Sequence, residues 1–181
     1  MKIKQTVILL IAFVLPIGIF VFLKTLGKNE FDVAPLHQEG SIAVSTACGV
    51  SYQSPYVVPL KVLSDLRWSK TDSLTLYVFD NPLMDDKAVS NKLAGVYSDE
   101  ELQLHKITTD SLGAGRSEDK DPIVKDAVSI EQLQECFFLM EPKKNAVLVD
   151  TRQRIRGYYD LSSREEIDRL AVEIKIILKK Y

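Results

Sequence analysis

Apolar and polar positions alternate along this chain in patterns that predict a succession of elements. Thr6 to Leu23 is an apolar run of 18 residues without a charge, long enough at about 1.5 Å per residue to cross most of a bilayer core as a helix. Leu74 to Phe79, LTLYVF, is apolar on both parities, as a central strand covered on both faces must be. Asn81-Pro82 stops it, and Asp85 or Asp86 then caps a helix with Val89, Leu93, Val96 and Tyr97 on one side. Leu102 to Ile107 is the next strand, and strand, helix and strand together make a right-handed parallel crossover. Ser129 to Phe138 reads as helical, with Ile130, Leu133 and Phe137 at helical spacing. Ala146 to Val149, a polar turn at Thr151 to Gln153, and Arg154 to Tyr159 form a hairpin. The final helix opens on a capping box of Ser163 and Glu166 and buries a face of Ile167, Leu170, Ala171, Ile174, Ile177 and Leu178. Lys179 and Lys180 suit the negative end of its dipole.

The element order β-α-β-α-β-β-α is that of a thioredoxin-like core. Upstream, the polar stretch Gly27 to Gly40 reads as a tether, and Ser41 to Gln53 as an edge hairpin added to the core. Pro55 and Pro59 fix the passage between them as extended. Thr109 to Pro122, Gly-rich and charged, reads as a surface loop. The expected fold is thus α/β, thioredoxin-like, with an N-terminal β-hairpin extension and an N-terminal transmembrane helix. The expected partition is residues 1–28 as anchor, 29–40 as tether and 41–181 as the domain.

Net charge is −2, with both signs spread along the chain and no basic stripe, which argues against nucleic acid as a partner. The apolar run exceeds the roughly 7 to 15 residues of a cleaved signal, and Thr25-Leu26-Gly27 is a poor cleavage site, so an uncleaved single-pass anchor in the inner membrane is expected. Lys2 and Lys4 precede the run but Lys24 and Lys28 follow it, so the positive-inside bias is slight. The short N-terminal stub places the C-terminal domain outside the cytoplasm, where a membrane or exported protein is the partner to expect. In that oxidising setting the two cysteines, Cys48 and Cys136, either pair as a disulfide or stay as two buried thiols.

The run VLVDTRQRIRGYYD, ending at Asp160 and leading into the charged terminal helix, resembles the C-terminal end of the Sco/SenC family, membrane-anchored thioredoxin-fold proteins that handle copper for cytochrome oxidase. Asp150 and Arg154 to Tyr159 carry the match, whereas Thr151 to Gln153 lacks the family's turn glycine. Gly27-Lys28-Asn29 followed by Phe31-Asp32 and Pro35-Leu36 after the apolar run extends the likeness to the other end.

The resemblance implies a Cys-x-x-x-Cys-Pro copper and redox motif after the first core strand, with a distant His. This chain has Asp80-Asn81-Pro82-Leu83-Met84-Asp85-Asp86 there instead, and Glu141-Pro142-Lys143 where the His would fall. Carboxylates at a helix start oppose a thiolate, so the local electrostatics differ as well as the ligands.

Other chemistry is sparse. His37 falls in the tether and His105 in a strand, where solvated or structural roles suffice; Trp68 suits packing, with surface contact as the alternative. Met84 and Met140 occupy the two loops that would hold the lost ligands, and thioethers suit Cu(I), but they are weak candidates, since filling gaps is the better account of each. Asp85 and Asp86 can serve as acids or bases, but capping accounts for them. The resulting expectation is a Sco-like binding or assembly factor without catalytic residues or a resident cofactor, connected with oxidase or copper-centre biogenesis. The alternatives are thiol-disulfide or copper handling through Cys48 and Cys136 or Met84 and Met140, and a purely structural exported interaction domain.

Overall fold

The structure, a computed structural model, describes residues 12–22, 32–42, 48–70, 73–98, 100–109 and 123–179. The chain divides into two compact units, Met1–Asp32 and Val33–Tyr181. In the first, residues 12–22 are helical, and their large apolar side chains, from Phe13 to Phe22, stand at least half exposed. No helix among the described residues is long and apolar enough to cross a membrane. The run Thr6 to Leu23 extends past residues 12–22 at both ends, outside the described residues.

The second unit is a mixed α/β domain built on one five-stranded sheet. In chain order its elements are α1 (Leu60–Asp65), β1 (Leu74–Phe79), α2 (Asp86–Leu93), β2 (Leu102–Thr108), β3 (Ile123–Val124), α3 (Ala127–Gln132), a π-helical turn (Leu133–Phe137), β4 (Ala146–Asp150), β5 (Ile155–Tyr159) and α4 (Arg164–Ile177). The sheet order is β3-β2-β1-β4-β5. β1 pairs parallel with β2, Leu74 opposite Leu102 and Phe79 opposite Ile107, and antiparallel with β4 on its other side. β4 and β5 form the antiparallel hairpin, with an irregularity between Leu148 and Val149.

Alternation along the strands sorts the core into two clusters. Leu74, Leu76 and Val78 of β1 join Leu102, Leu148 and Tyr159 beneath α2 and α4, which contribute Val89, Leu93, Ile167, Leu170 and Ile174. Tyr77 and Phe79 point the other way, to Ile107, Val147, Val149 and Tyr158, covered by Tyr56, Val58, Leu63 and Leu66 from around α1 and by Leu133 and Phe138. With both faces covered, every residue of β1, β4 and β5 is buried. This is the physical reason their sequences lack polar alternation.

Several expectations change. The stretch assigned to a tether, 29–40, belongs to the domain from Val33 onward: Leu36 N–H donates to Ile155 O at 2.8 Å, and His37 O accepts from Tyr56 N–H at 2.9 Å. Of the hairpin expected over Ser41 to Gln53, the described residues keep a single bridge, Ser41 with Gln53. The helix expected over Ser129 to Phe138 starts earlier, on an Asp126 cap, and widens into the π turn. Ser163 is the N-cap of α4 by backbone geometry, but its side chain makes no capping bond. Glu166 is drawn off by Lys144, at 2.7 Å, and Arg169, at 3.0 Å, so the capping box does not form. Beyond Thr109, the loop expected to run to Pro122 lies outside the described residues.

Candidate functional site

The loop that leaves the C-terminal end of β1 satisfies its own polar groups. Asp80 N–H donates to Ile107 O at 2.9 Å, and its carboxylate accepts from Thr108 Oγ1 at 3.2 Å. Asn81 Oδ1 accepts from Leu83 N–H at 3.0 Å, closing the side-chain turn typical of asparagine. Asp85 is the N-cap of α2, accepting from Lys87 N–H at 3.0 Å and Ala88 N–H at 3.2 Å. Asp86, in the first turn, meets Lys106 Nζ at 2.9 Å, and the same ammonium lies 3.3 Å from Asp80. Burial works against the Lys106 charge, but Asp86 and then Asp80 outweigh it and hold its pKa above the ordinary lysine value. The free amides that would stabilise an anion at this helix start are therefore occupied by a carboxylate of the chain itself.

The two methionines do not converge. Met84 packs half-buried on the cluster beneath α2 and α4, whereas Met140 packs on the cluster across the sheet. Cys48 and Cys136 are joined as a disulfide, with Cα atoms 5.5 Å apart, linking the N-terminal segment to the π turn. Pro82 and Leu83 stand at the surface, Leu83 with 78% of its area exposed. His105 is buried in β2, its ring stacked 5.8 Å from that of Tyr77. Trp68 packs against the cluster that holds Tyr77. No group of three or more His, Cys, Asp or Glu side chains among the described residues is arranged to hold a metal ion.

His37 sits in a polar knot that sequence reasoning missed. Tyr158 Oη donates to Phe138 O at 2.6 Å and lies 3.0 Å from His37 Nε2. A hydroxyl has one proton to give, so Nε2 must carry the hydrogen of the second bond. Tyr56 Oη donates to Phe137 O at 2.6 Å, and its ring lies 4.7 Å from Tyr52. Burial pushes the Tyr56 and Tyr158 hydroxyls well above the ordinary tyrosine value, so both remain neutral donors that fasten the carbonyls at the end of the π turn.

The RQRIRGYYD stretch proves to be a framework. Asp150, nearly buried, accepts from Arg152 N–H and Arg154 N–H at 2.9 and 3.0 Å, and holds the Arg154 side chain at 2.7 Å and that of Arg156 at 3.4 Å. Arg156 also donates to Val33 O, which fixes the start of the domain to the hairpin. Gly157 gives room to Tyr159, whose hydroxyl donates to Glu173 at 2.6 Å while Arg169 lies 4.9 Å over its ring. No protein-family model matches this sequence, and no curated protein matches it.

Proposed function

We propose that this chain is a membrane-anchored, extracytoplasmic, thioredoxin-like domain of the Sco/SenC kind that works as a binding or assembly module for another membrane or exported protein, in the setting of oxidase and copper-centre biogenesis. It turns over no disulfide and carries no copper of its own. The observation that carries this reading is the β1–α2 loop. Where a thioredoxin-like protein needs a thiolate at a helix start, this chain has a capped helix, a Lys106 bridge between Asp80 and Asp86, and no nucleophile. The parallel β1–β2 crossover with β4 and β5 antiparallel beside it supports a thioredoxin-like core. The Asp150-centred hairpin supports the Sco-like lineage, the uncharged run Thr6 to Leu23 the anchor, and the disulfide an oxidising compartment.

Cu(I) titration of the purified protein against a competing chelator tests the reading, and no chelator-resistant binding is expected. One tight equivalent that disappears in the Met84→Ala, Met140→Ala double variant would restore a copper role. Crosslinking of the anchored protein in membranes, followed by mass spectrometry, should recover an oxidase assembly component.

A further inference from the structure

The end of the sheet at which β1 and β2 terminate opens into a groove of about 360 Å³ between the β1–α2 loop and α3. Its apolar lining comes from Phe79, Pro82, Ala127 and Ile130, and its charged lining from Asp80 and Glu131. That volume sits near the small end of the range of roughly 300 to 1,000 Å³ for ligand pockets. It admits a side chain or two and falls short of a whole cofactor.

Two further observations bear on what fills it. Among the described residues of the domain, the two most exposed large apolar side chains are Leu83, 78% exposed, and Val128, 65% exposed. Each directly follows a groove-lining residue, Pro82 and Ala127. Such side chains face water at a cost unless something covers them. A small ligand inside the groove would leave both bare, whereas a chain laid across it would cover them.

Charge restricts the occupant further. Asp80 and Glu131 are the charged residues of the lining, and the segments that carry it, residues 79–87 and 125–137, hold six carboxylates against Lys87 and Lys125, in a protein of net charge −2. Lys106, already bridging Asp80 and Asp86, offsets one of them. An anionic lipid surface would be repelled here, and a basic polypeptide attracted.

We propose that this groove is the docking site of an extended polypeptide segment of a partner protein, with an apolar anchor that enters between Pro82 and Ala127 and flanking Lys or Arg residues that meet the acidic walls. The proposal rests on the binding-module reading and names the partner's chemistry. Leu83 and Val128 grip the segment on either side of the groove, and Glu131 selects its charge.

The test titrates the full chain into a fluorescently labelled synthetic peptide with a leucine pair flanked by arginines, read by anisotropy. A matched peptide with glutamates in place of the arginines is the control. The arginine peptide should bind, the glutamate peptide should not, and binding should weaken with added salt. Leu83→Ser with Val128→Ser should weaken it about tenfold, and Glu131→Lys by a similar factor, each with an unchanged thermal melt. No arginine-peptide binding up to ~1 mM, or equal binding of both peptides, would overturn the proposal. Peptide binding untouched by the three substitutions removes the groove and leaves the binding module standing. A tight copper equivalent would instead remove the module reading itself.

Discussion

The ring of Tyr159 occupies the space that a side chain at residue 157 would need: a Cβ built on Gly157 falls 2.8 Å from Tyr159 Cζ. Gly157→Ala must therefore displace a fully buried tyrosine, together with its bond to Glu173 and its contact with Arg169. Destabilisation of about 1–3 kcal/mol, the usual cost of overpacking, is expected in urea unfolding. An unchanged midpoint would show that Tyr159 swings aside freely.

Asp150→Ala removes the acceptor of two backbone amides and the partner of two arginines, one of which, Arg156, is itself buried. A buried charge stripped of its counter-ion costs about 3–5 kcal/mol. The loss should appear as a lowered urea midpoint. Amide exchange should also quicken at Leu36, whose N–H bonds to Ile155 O one residue from Arg156.

Gln153 sits in the β4–β5 turn at φ 64°, in the left-handed region. Gln153→Gly relieves that conformation and leaves the bonds of its main chain to Asp150 and Val58 in place. A gain of about 0.5–1 kcal/mol is expected, and a loss would mean that the side chain contributes packing worth more than the strain.

The disulfide closes a loop with a sequence separation of 88. In the chain-entropy model such a loop contributes roughly 4–5 kcal/mol. Urea unfolding with and without reductant should show a difference of that order, and the native protein should resist alkylation before reduction. Two reactive thiols in the unreduced protein would refute the pairing.

Burial holds His37 below the ordinary histidine value of 6.5, against the opposing pull of Glu141. As pH falls, the unfolded chain takes up this proton before the folded one does. The His37 contribution to stability is therefore complete above about 6.5 and declines as pH drops through the folded value. His37→Gln keeps a donor for Tyr158 and should flatten this part of the stability curve, measured as the difference between the two proteins from pH 7 to 5. Parallel curves would place the titration elsewhere.

β1 and α4 were legible for different reasons: LTLYVF is an unbroken apolar run stopped at Asn81-Pro82, and the apolar stripe of Ile167, Leu170 and Ile174 has a single helical solution. α1 was not, since only Leu63 of its six residues is buried and Pro59 before it also suits an extended chain. Two-residue β3 is too short to show any period, and the π turn places its apolar residues at nearly α-helical spacing. At the site, the capping role of Asp85 was readable, but Lys106 was not. The available signal lay in the crossover: parallel register sets Lys106 beside Val78, so the end of β2 must meet the loop that follows β1. The knot of His37 and Tyr158 joins residues 121 apart, a separation over which no local pattern carries information.

A sheet offers partners its edges as well as its faces, and here one edge is already taken. The carbonyls of Ile155 and Tyr158 in β5 are engaged from outside the sheet by Leu36 N–H and the Arg169 guanidinium, and Val58 N–H takes Gln153 O just before the strand. At the opposite edge β3 has only two residues. Strand addition, which attracts any extended chain through main-chain bonds alone, therefore finds little template along β5. Association at the β5 edge must then run through side chains, so a few surface substitutions there suffice to change which partner is accepted without disturbing the sheet beneath.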